Sequence, residues 1–498
     1  MRVLALLLVV SQWRSPVAAQ APDPRVATFD AFVSQAAKDW GAVGLGVAVV
    51  KDGRTVLAKG YGVRTLGRPE PADGETMFAI GSTTKAITAA AIGMLVDEGK
   101  VQWDDPVTKH LPWFMLADPY LTREVTVRDL LTHRAGLANG DVLWYRTDLS
   151  PAEVLRRARF IPIAYSPRSN FIYQNVMYAA AGAVVAAASE MSWEQFVERR
   201  IFGPLGMTRT VATLAGTAGL PNVAAPHQRV DGTVRVIGNA AVDAVAAAGS
   251  VWSSVTDMAR WARFMIDSGR VDGRALLKPA TWAELFRPQV LVPPGQFYPS
   301  RALTKPHWTS YGMGWFQHDY QGRMLQFHTG SIDGMVALIG LVPEERFGVY
   351  VLGNLDHVEV RHAILYQALD TWLGTGTRDW SRDLLAIYRG LAARGDSAIA
   401  TARRARQTGT QPSLPLERYR GSYSDSLVGK VEVQVEGGRL TFRPSSQLLA
   451  RLEHWHFDTF LARWDNEWQD PDLVTFSIGP AGTVDALQYA GRRLGRHR

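Results

Sequence analysis

The run Ala86-Ile87-Thr88-Ala89-Ala90-Ala91-Ile92-Gly93-Met94-Leu95 is apolar around a whole helical turn and beyond, which places the helix it forms in the middle of a domain. Directly before it stands Phe78-Ala79-Ile80-Gly81-Ser82-Thr83-Thr84-Lys85. Gly81 and Ser82 fall where the helix begins. A Ser there reads in two ways: as an N-cap, or as a nucleophile whose backbone N–H, at the positive end of the helix, helps hold an oxyanion. Lys85 favours the second reading. Residues three apart share a helix face, so its ammonium lies one turn above the Ser82 hydroxyl. A Lys on a buried helix is also costly unless paired or used. Ser-x-x-Lys alone arises roughly once by chance in a chain of this length, so the rest of the chain has to decide.

The chain has 498 residues, too many for one small core, which predicts two domains. Its net charge of +7 is carried mostly by Arg and is spread out, apart from Arg403-Arg404-Ala405-Arg406 and the tail from Arg492 to Arg498. No basic stripe with interleaved aromatics is present, which argues against a nucleic-acid partner. With 0 Cys there are no disulfides, no thiolate chemistry and no thiolate metal sites. Met1-Arg2, an apolar run from Val3 to Val10 and the small residues of Val17-Ala18-Ala19 fit a secretory signal peptide over residues 1–19, against a frayed or misassigned start. This reading makes the mature chain periplasmic or secreted. The run is too short to span a bilayer and no later one is long enough, so the mature chain is expected to have no transmembrane helix.

Helical spacing over residues 23–40, with Pro24 in the first turn, is followed by a strand over 44–50, an Asp-Gly hairpin turn at 51–54 and a returning strand over 55–61. Residues 125–137 predict a short helix closed by Gly136. His133 near its end is either catalytic or structural, and the structural reading is favoured. Residues 167–175 form a turn before an Ala-rich helix over 176–187; Tyr173 in that turn is either packing with a polar tip or catalytic. A further helix opens at Ser254 or Thr256. Residues 311–316 and 323–327, 336–343 and 347–354 read as strands that join 45–61 in one antiparallel sheet. The expected fold is α/β, an antiparallel sheet flanked by helices with a helical lobe, over residues 22–375. Residues 376–411 read as a helical linker, and 412–498 as a small all-β, barrel-like domain with strands at 431–435, 439–442 and 473–476. His454-Trp455-His456 lacks further ligands, which favours packing or surface over a metal site.

Ser82-x-x-Lys85, Tyr173-x-Asn175 and His328-Thr329-Gly330 follow in that order. Ser82 starts a buried helix, Tyr173 precedes another, and His328 is expected at the end of a strand. With these motifs the chain resembles the serine β-lactamase and penicillin-binding-protein superfamily, in its class C-like branch with D-peptidases, D-aminopeptidases and esterases. The likeness runs from about Phe29 to Trp372 and includes Thr126 to Leu137, Pro204-Leu205-Gly206-Met207 and Tyr311-Gly312-Met313-Gly314-Trp315. The C-terminal part resembles the small β domain appended to many hydrolases of the family. The resemblance implies an acyl-enzyme on Ser82 with Lys85 and Tyr173 as candidates for the base. It implies substrate contacts from Asn175, His328, Thr329, Gly330 and Ser331, with the backbone N–H groups of Ser82 and Ser331 as the oxyanion hole. The substrate would be a small molecule or peptide, and no metal or organic cofactor is required.

Two departures bear on specificity. His328 stands where β-lactamases usually carry Lys, and a neutral imidazole offers less positive charge to a substrate carboxylate. Pro167 is followed by Arg168 where the family usually has Gly, which puts a cation either at the pocket rim or merely on the surface. The sequence therefore leads to a serine hydrolase of D-amino-acid peptides, amides or small esters. A β-lactamase and a non-catalytic penicillin-binding or cell-wall sensor are its rivals.

Overall fold

The computed structural model describes residues 23–497; the expected signal peptide lies outside them. Gly44–Lys51, Met335–Val342 and Phe347–Gly353 are apolar almost throughout. Such strands have to be covered on both faces. They lie side by side within an eight-stranded sheet whose order is Arg54–Gly62, Gly44–Lys51, Phe347–Gly353, Met335–Val342, Arg323–Ile332, Phe316–Tyr320, Thr309–Tyr311 and Val290–Leu291. The neighbours are antiparallel. The first hairpin turns on Asp52 and Gly53, both at positive φ. Alternate side chains feed two cores. Ala48, Ile339 and Leu352 pack with the helices Thr84–Asp97 and Val255–Ile266. Val47, Leu338 and Val351 pack with Pro24–Asp39 and Val360–Leu373. Thr84 to Leu95 are all buried, as an all-apolar helix requires. Ser254 caps the helix that follows it, accepting from the Asp257 N–H.

The structure departs from the sequence expectation at three places. The helix expected over 125–137 is only Val127–Leu131, opened by a Thr126–Asp129 capping box. His133 at φ 57° and Gly136 at φ 87° then turn the chain away. The strand expected over 311–316 is a corner between two strands. At Gly314, φ 83°, a Cβ would come within 2.9 Å of the Ala86 backbone, so this corner is pressed onto the first turn of the buried helix. His328 lies within the strand Arg323–Ile332 and not at its end, because pairing with Met335–Val342 continues to Ile332.

The stretch expected as a linker carries the helix Trp380–Arg404, whose first turns bury Trp380 and Leu384 in the second core. Beyond it, eight strands from Gly421–Asp425 to Arg492–Arg496 form a closed barrel, with the first strand paired to the last. Tyr419, Tyr423, Phe442, Phe460 and Phe476 pack in its core. The barrel rests on the larger part through the turn at 445–447. There Ser445 Oγ donates to the Arg146 carbonyl at 2.6 Å, Ser446 N–H donates to Asp148 at 2.7 Å, and Gln447 Nε2 donates to the Thr147 carbonyl at 2.8 Å. His454 Nε2 donates to the Phe457 carbonyl and His456 Nδ1 accepts from the Gln407 N–H. Among the described residues no group of three or more His, Asp or Glu side chains is placed to hold a metal. Nor is any helix among them long and apolar enough to cross a membrane.

Candidate active site

Glycine at two positions lets two backbones meet. A Cβ on Gly81, φ 51°, would lie 2.8 Å from the Ser331 nitrogen, and one on Gly330 would lie 2.0 Å from the Ile80 carbonyl oxygen and 3.0 Å from the Ser82 nitrogen. The amides of Ser82 and Ser331 are thereby brought close together. Ser82 sits in the 3-10 turn Gly81–Thr83, ahead of the helix Thr84–Asp97, whose cap residue is Thr83. Its half-buried hydroxyl is therefore left for other partners.

Lys85 Nζ lies 3.0 Å from Ser82 Oγ, 2.7 Å from Asn175 Oδ1 and 2.9 Å from the Ala248 carbonyl. It is 0% exposed, and burial pulls its pKa well below the usual lysine value; the Asp141 carboxylate opposes this only in part. Asn175 opens the helix Asn175–Ser189. Its Nδ2 donates to Asp141 Oδ1 at 3.0 Å, which fixes its Oδ1 toward the lysine. Tyr173 stands two residues earlier, its ring 4.7 Å from Lys85 Nζ. Burial pushes the Tyr173 phenol well above its ordinary value, against a hydrogen bond with Ser82. The structure thus brings Ser82, Lys85, Tyr173 and Asn175 into one contact group.

His328 is placed differently from the expectation of a substrate contact. It is buried, and both ring nitrogens are engaged. The Thr329 carbonyl, 2.6 Å from Nδ1, can only accept, so Nδ1 carries the proton and Nε2 accepts from the Tyr311 hydroxyl at 2.9 Å. Burial, with Lys85 nearby, pushes its pKa down to about 3. It is a neutral packing partner of Tyr311, not a cation at the site. Thr329 Oγ1 meets the Tyr298 hydroxyl at 2.7 Å. The Gly330 carbonyl and Ser331 Oγ accept from Arg361 Nη1 at 2.5 and 3.1 Å. Arg361 is itself buried and paired through two bonds of 3.0 Å with Glu359.

Arg168 is no rim cation. At φ 65° it takes the left-handed backbone that explains the usual glycine. Its guanidinium turns to the buried carboxylate of Asp129 at 2.7 Å, which also pairs with Arg134. Sequence reasoning missed Asp141, Tyr311 as partner of His328, and Arg361. Asp141 has a faint local signal in Asn139-Gly140-Asp141. Arg361 has none, since only the fold brings its helix under Gly330.

A Beta-lactamase family model matches residues 29–371, and the Domain of unknown function (DUF3471) matches residues 405–494. The chain is 29% identical over 512 residues to Unguisins hydrolase ungD of Aspergillus violaceofuscus, covering 94% of this chain and 89% of that protein. It is 24% identical to Protein flp of Staphylococcus aureus over 63% of this chain and 60% of the other. Among solved structures, the octameric penicillin-binding protein homologue from Pyrococcus abyssi superposes with a TM-score of 0.62 at 24% identity, over 94% of this chain and 99% of that one. SurE superposes with a TM-score of 0.57 at 22% identity, over 95% and 99% of the two chains.

Proposed function

The chain belongs to the beta-lactamase family, and from that premise we propose that it is a serine hydrolase forming an acyl-enzyme on Ser82. Its substrate is an amide or ester bond in a D-amino-acid peptide or amide, or a small ester. One observation carries the reading. A neutral Lys85 amine has two N–H bonds and one lone pair. Asn175 Oδ1 and the Ala248 carbonyl can only accept, and they take both N–H bonds. The lone pair is left for Ser82 Oγ, and burial keeps the amine free of a third proton.

The chemistry follows in two halves. The Ser82 proton passes to Lys85 Nζ as Oγ bonds to the carbonyl carbon, and the oxyanion meets the amides of Ser82 and Ser331. The neutral Tyr173 hydroxyl, next to Ser82, hands its proton to the departing nitrogen or oxygen and regains one from the Lys85 ammonium. Water then attacks the acyl-enzyme by the same path reversed, and the acid leaves. The second Nδ2 hydrogen of Asn175, not used by Asp141, is free for the substrate's carbonyl. A hydrolytic reaction is supported by the relative named Unguisins hydrolase, whose likeness runs through the barrel as well as the larger part. The neutral, buried His328 and the Glu359-paired Arg361 leave little fixed positive charge for a β-lactam carboxylate.

The test is intact-protein mass spectrometry of wild type and Ser82→Ala after a fluorophosphonate, a penicillin and p-nitrophenyl butyrate, with p-nitrophenol release followed in parallel. Labelling and ester turnover in wild type alone are expected. Equal turnover in Ser82→Ala would sink the reading, and rapid penicillin turnover would move it to a β-lactamase.

A further inference from the structure

Resting on the acyl-transfer reading above, we propose that His133 is the positioning residue of Tyr173: it grips the chain on both sides of that tyrosine and backs its ring. The His133 carbonyl accepts from the Ile172 N–H at 3.1 Å. Its Nδ1 accepts from the Gln174 N–H at 3.0 Å. These are the residues before and after Tyr173. The imidazole lies over the Tyr173 ring with centroids 4.2 Å apart and a tilt of 34°. Three contacts from one residue thus fix the position and the plane of the phenol.

The local geometry is what makes this possible. The backbone of His133 is left-handed, φ 57°, a region that His enters more readily than most residues with a Cβ, as Asn and Asp do. It lets the carbonyl and the side chain of one residue meet the same passing segment. That segment needs an outside hold, because the cap residue Gln174 makes no side-chain cap bond to the helix Asn175–Ser189. A backbone N–H can only donate, so Nδ1 is unprotonated and the hydrogen sits on Nε2. That N–H is buried and has no hydrogen-bond partner among the described residues. It lies among the rings of Phe171, Tyr178 and Tyr311, whose centroids are 5.5, 5.3 and 4.7 Å away. A buried donor left unmet is a cost, and a histidine chosen only for packing would have no reason to carry it. A phenylalanine would fill the space and an asparagine would suit the backbone, but neither supplies ring and acceptor together.

The experiment is a mutant cycle on the full chain with p-nitrophenyl butyrate. It uses His133→Phe, His133→Asn and Tyr173→Phe, alone and combined, with melting curves to confirm folding. His133→Phe keeps a ring and loses the acceptor; kcat is expected to fall about 100-fold with KM within about threefold. His133→Asn keeps an acceptor and a tolerable backbone; kcat is expected to fall only about fivefold. In the Tyr173→Phe background the further loss from either substitution should shrink below about twofold, because the residue acts through the tyrosine. A folded His133→Phe protein with near wild-type kcat overturns the proposal. So does a loss that is undiminished in the Tyr173→Phe background, which would mark a general structural role. If His133→Phe does not fold, His133→Asn carries the cycle, and full kcat in it overturns the proposal. Tyr173→Phe alone with full activity also overturns the proposal, since no role would be left to position, whereas the acyl-transfer reading on which it rests falls only if Ser82→Ala is equally active.

Discussion

Two buried basic side chains stand on either side of the place where Gly330 meets Ser82, and they are treated in opposite ways. Lys85 is surrounded by a hydroxyl, an amide oxygen and a carbonyl, with no carboxylate in contact. Arg361 is held by a carboxylate through two bonds and by the Gly330 and Ala337 carbonyls and Ser331 Oγ besides. Burial without a counter-ion expels the proton from an amine, whereas a guanidinium keeps its charge and demands a partner. On the proposed reading the same desolvation makes a base of one, while it makes a fixed brace of the other. The Glu359 carboxylate is held well below its usual value, with Arg361 and the neighbouring histidines outweighing burial.

The largest break in that comparison is Lys85→Arg. Much of the length and the donors remain, but the guanidinium carries a permanent charge and the lone pair is gone. Turnover of p-nitrophenyl butyrate is expected to fall by about 10³-fold or more, with the fold intact by circular dichroism. Retention of a tenth of wild-type activity would mean that Lys85 acts as a cation and not as a base.

Arg361→Met attacks the other half of the comparison. It leaves Glu359 buried beside His362, 3.1 Å away, without its principal partner. Such losses are about 3–5 kcal/mol in unfolding free energy, read from urea curves. Adding Glu359→Gln should restore most of the stability, because it removes the orphaned charge. A mild effect of Arg361→Met alone would show that the pair braces nothing.

Lys85 and the partner of Arg361, Glu359, also differ in their pH signatures. Lys85 has a folded pKa below its unfolded one, so from about pH 10 downward the unfolded chain binds a proton that the folded chain refuses. Its contribution is thus a destabilisation that grows as pH falls, until the folded pKa is reached. Lys85→Met should therefore be more stable than wild type, by a margin that widens from pH 10 toward neutrality. Wild-type acylation should fade on the acid side as Lys85 takes up a proton. Glu359 runs the other way: its stabilisation is present above the unfolded carboxylate range and is lost only as pH falls through its lower folded value. A pH-independent gap between Lys85→Met and wild type would contradict the neutral amine.

This contrast also marks what could be read from the sequence. The apolar strands and the all-apolar helix after Ser82 were legible, because burial on all sides leaves no ambiguity of face. The three motifs were legible too, since each places reactive groups at short spacing. The corner at 311–316 was not: its glycines are explained only by the close approach of Gly314 to Ala86, a contact across the fold. The burial of His328 was missed for the same reason. Its partner Tyr311 is a neighbour across strands and not along the chain. Arg361, Asp141 and the grip of His133 on Tyr173 are likewise tertiary pairings that local patterns do not carry. Several of the barrel's eight strands lacked clean alternation because register shifts interrupt three of its pairings.

The smallest expected effect tests a third charged cluster against the first two. Arg168 pairs with buried Asp129, but its side chain is 42% exposed and Asp129 keeps Arg134 as a second partner. Arg168→Gly removes a half-exposed ion pair, a loss of about 0.2–1 kcal/mol. It also relieves a left-handed backbone whose cost to a residue with a Cβ is about 1–2 kcal/mol. The greater freedom of glycine in the unfolded chain takes back about 0.5–1 kcal/mol of that relief. The three contributions nearly cancel, so the melting midpoint should move little in either direction and turnover should stay at the wild-type level. A loss of several kcal/mol would place Asp129 in the class of Glu359, a buried carboxylate that tolerates no missing partner. An unchanged protein would confirm that a charge with two partners, one of them facing water, is a different physical object from the single brace under Gly330.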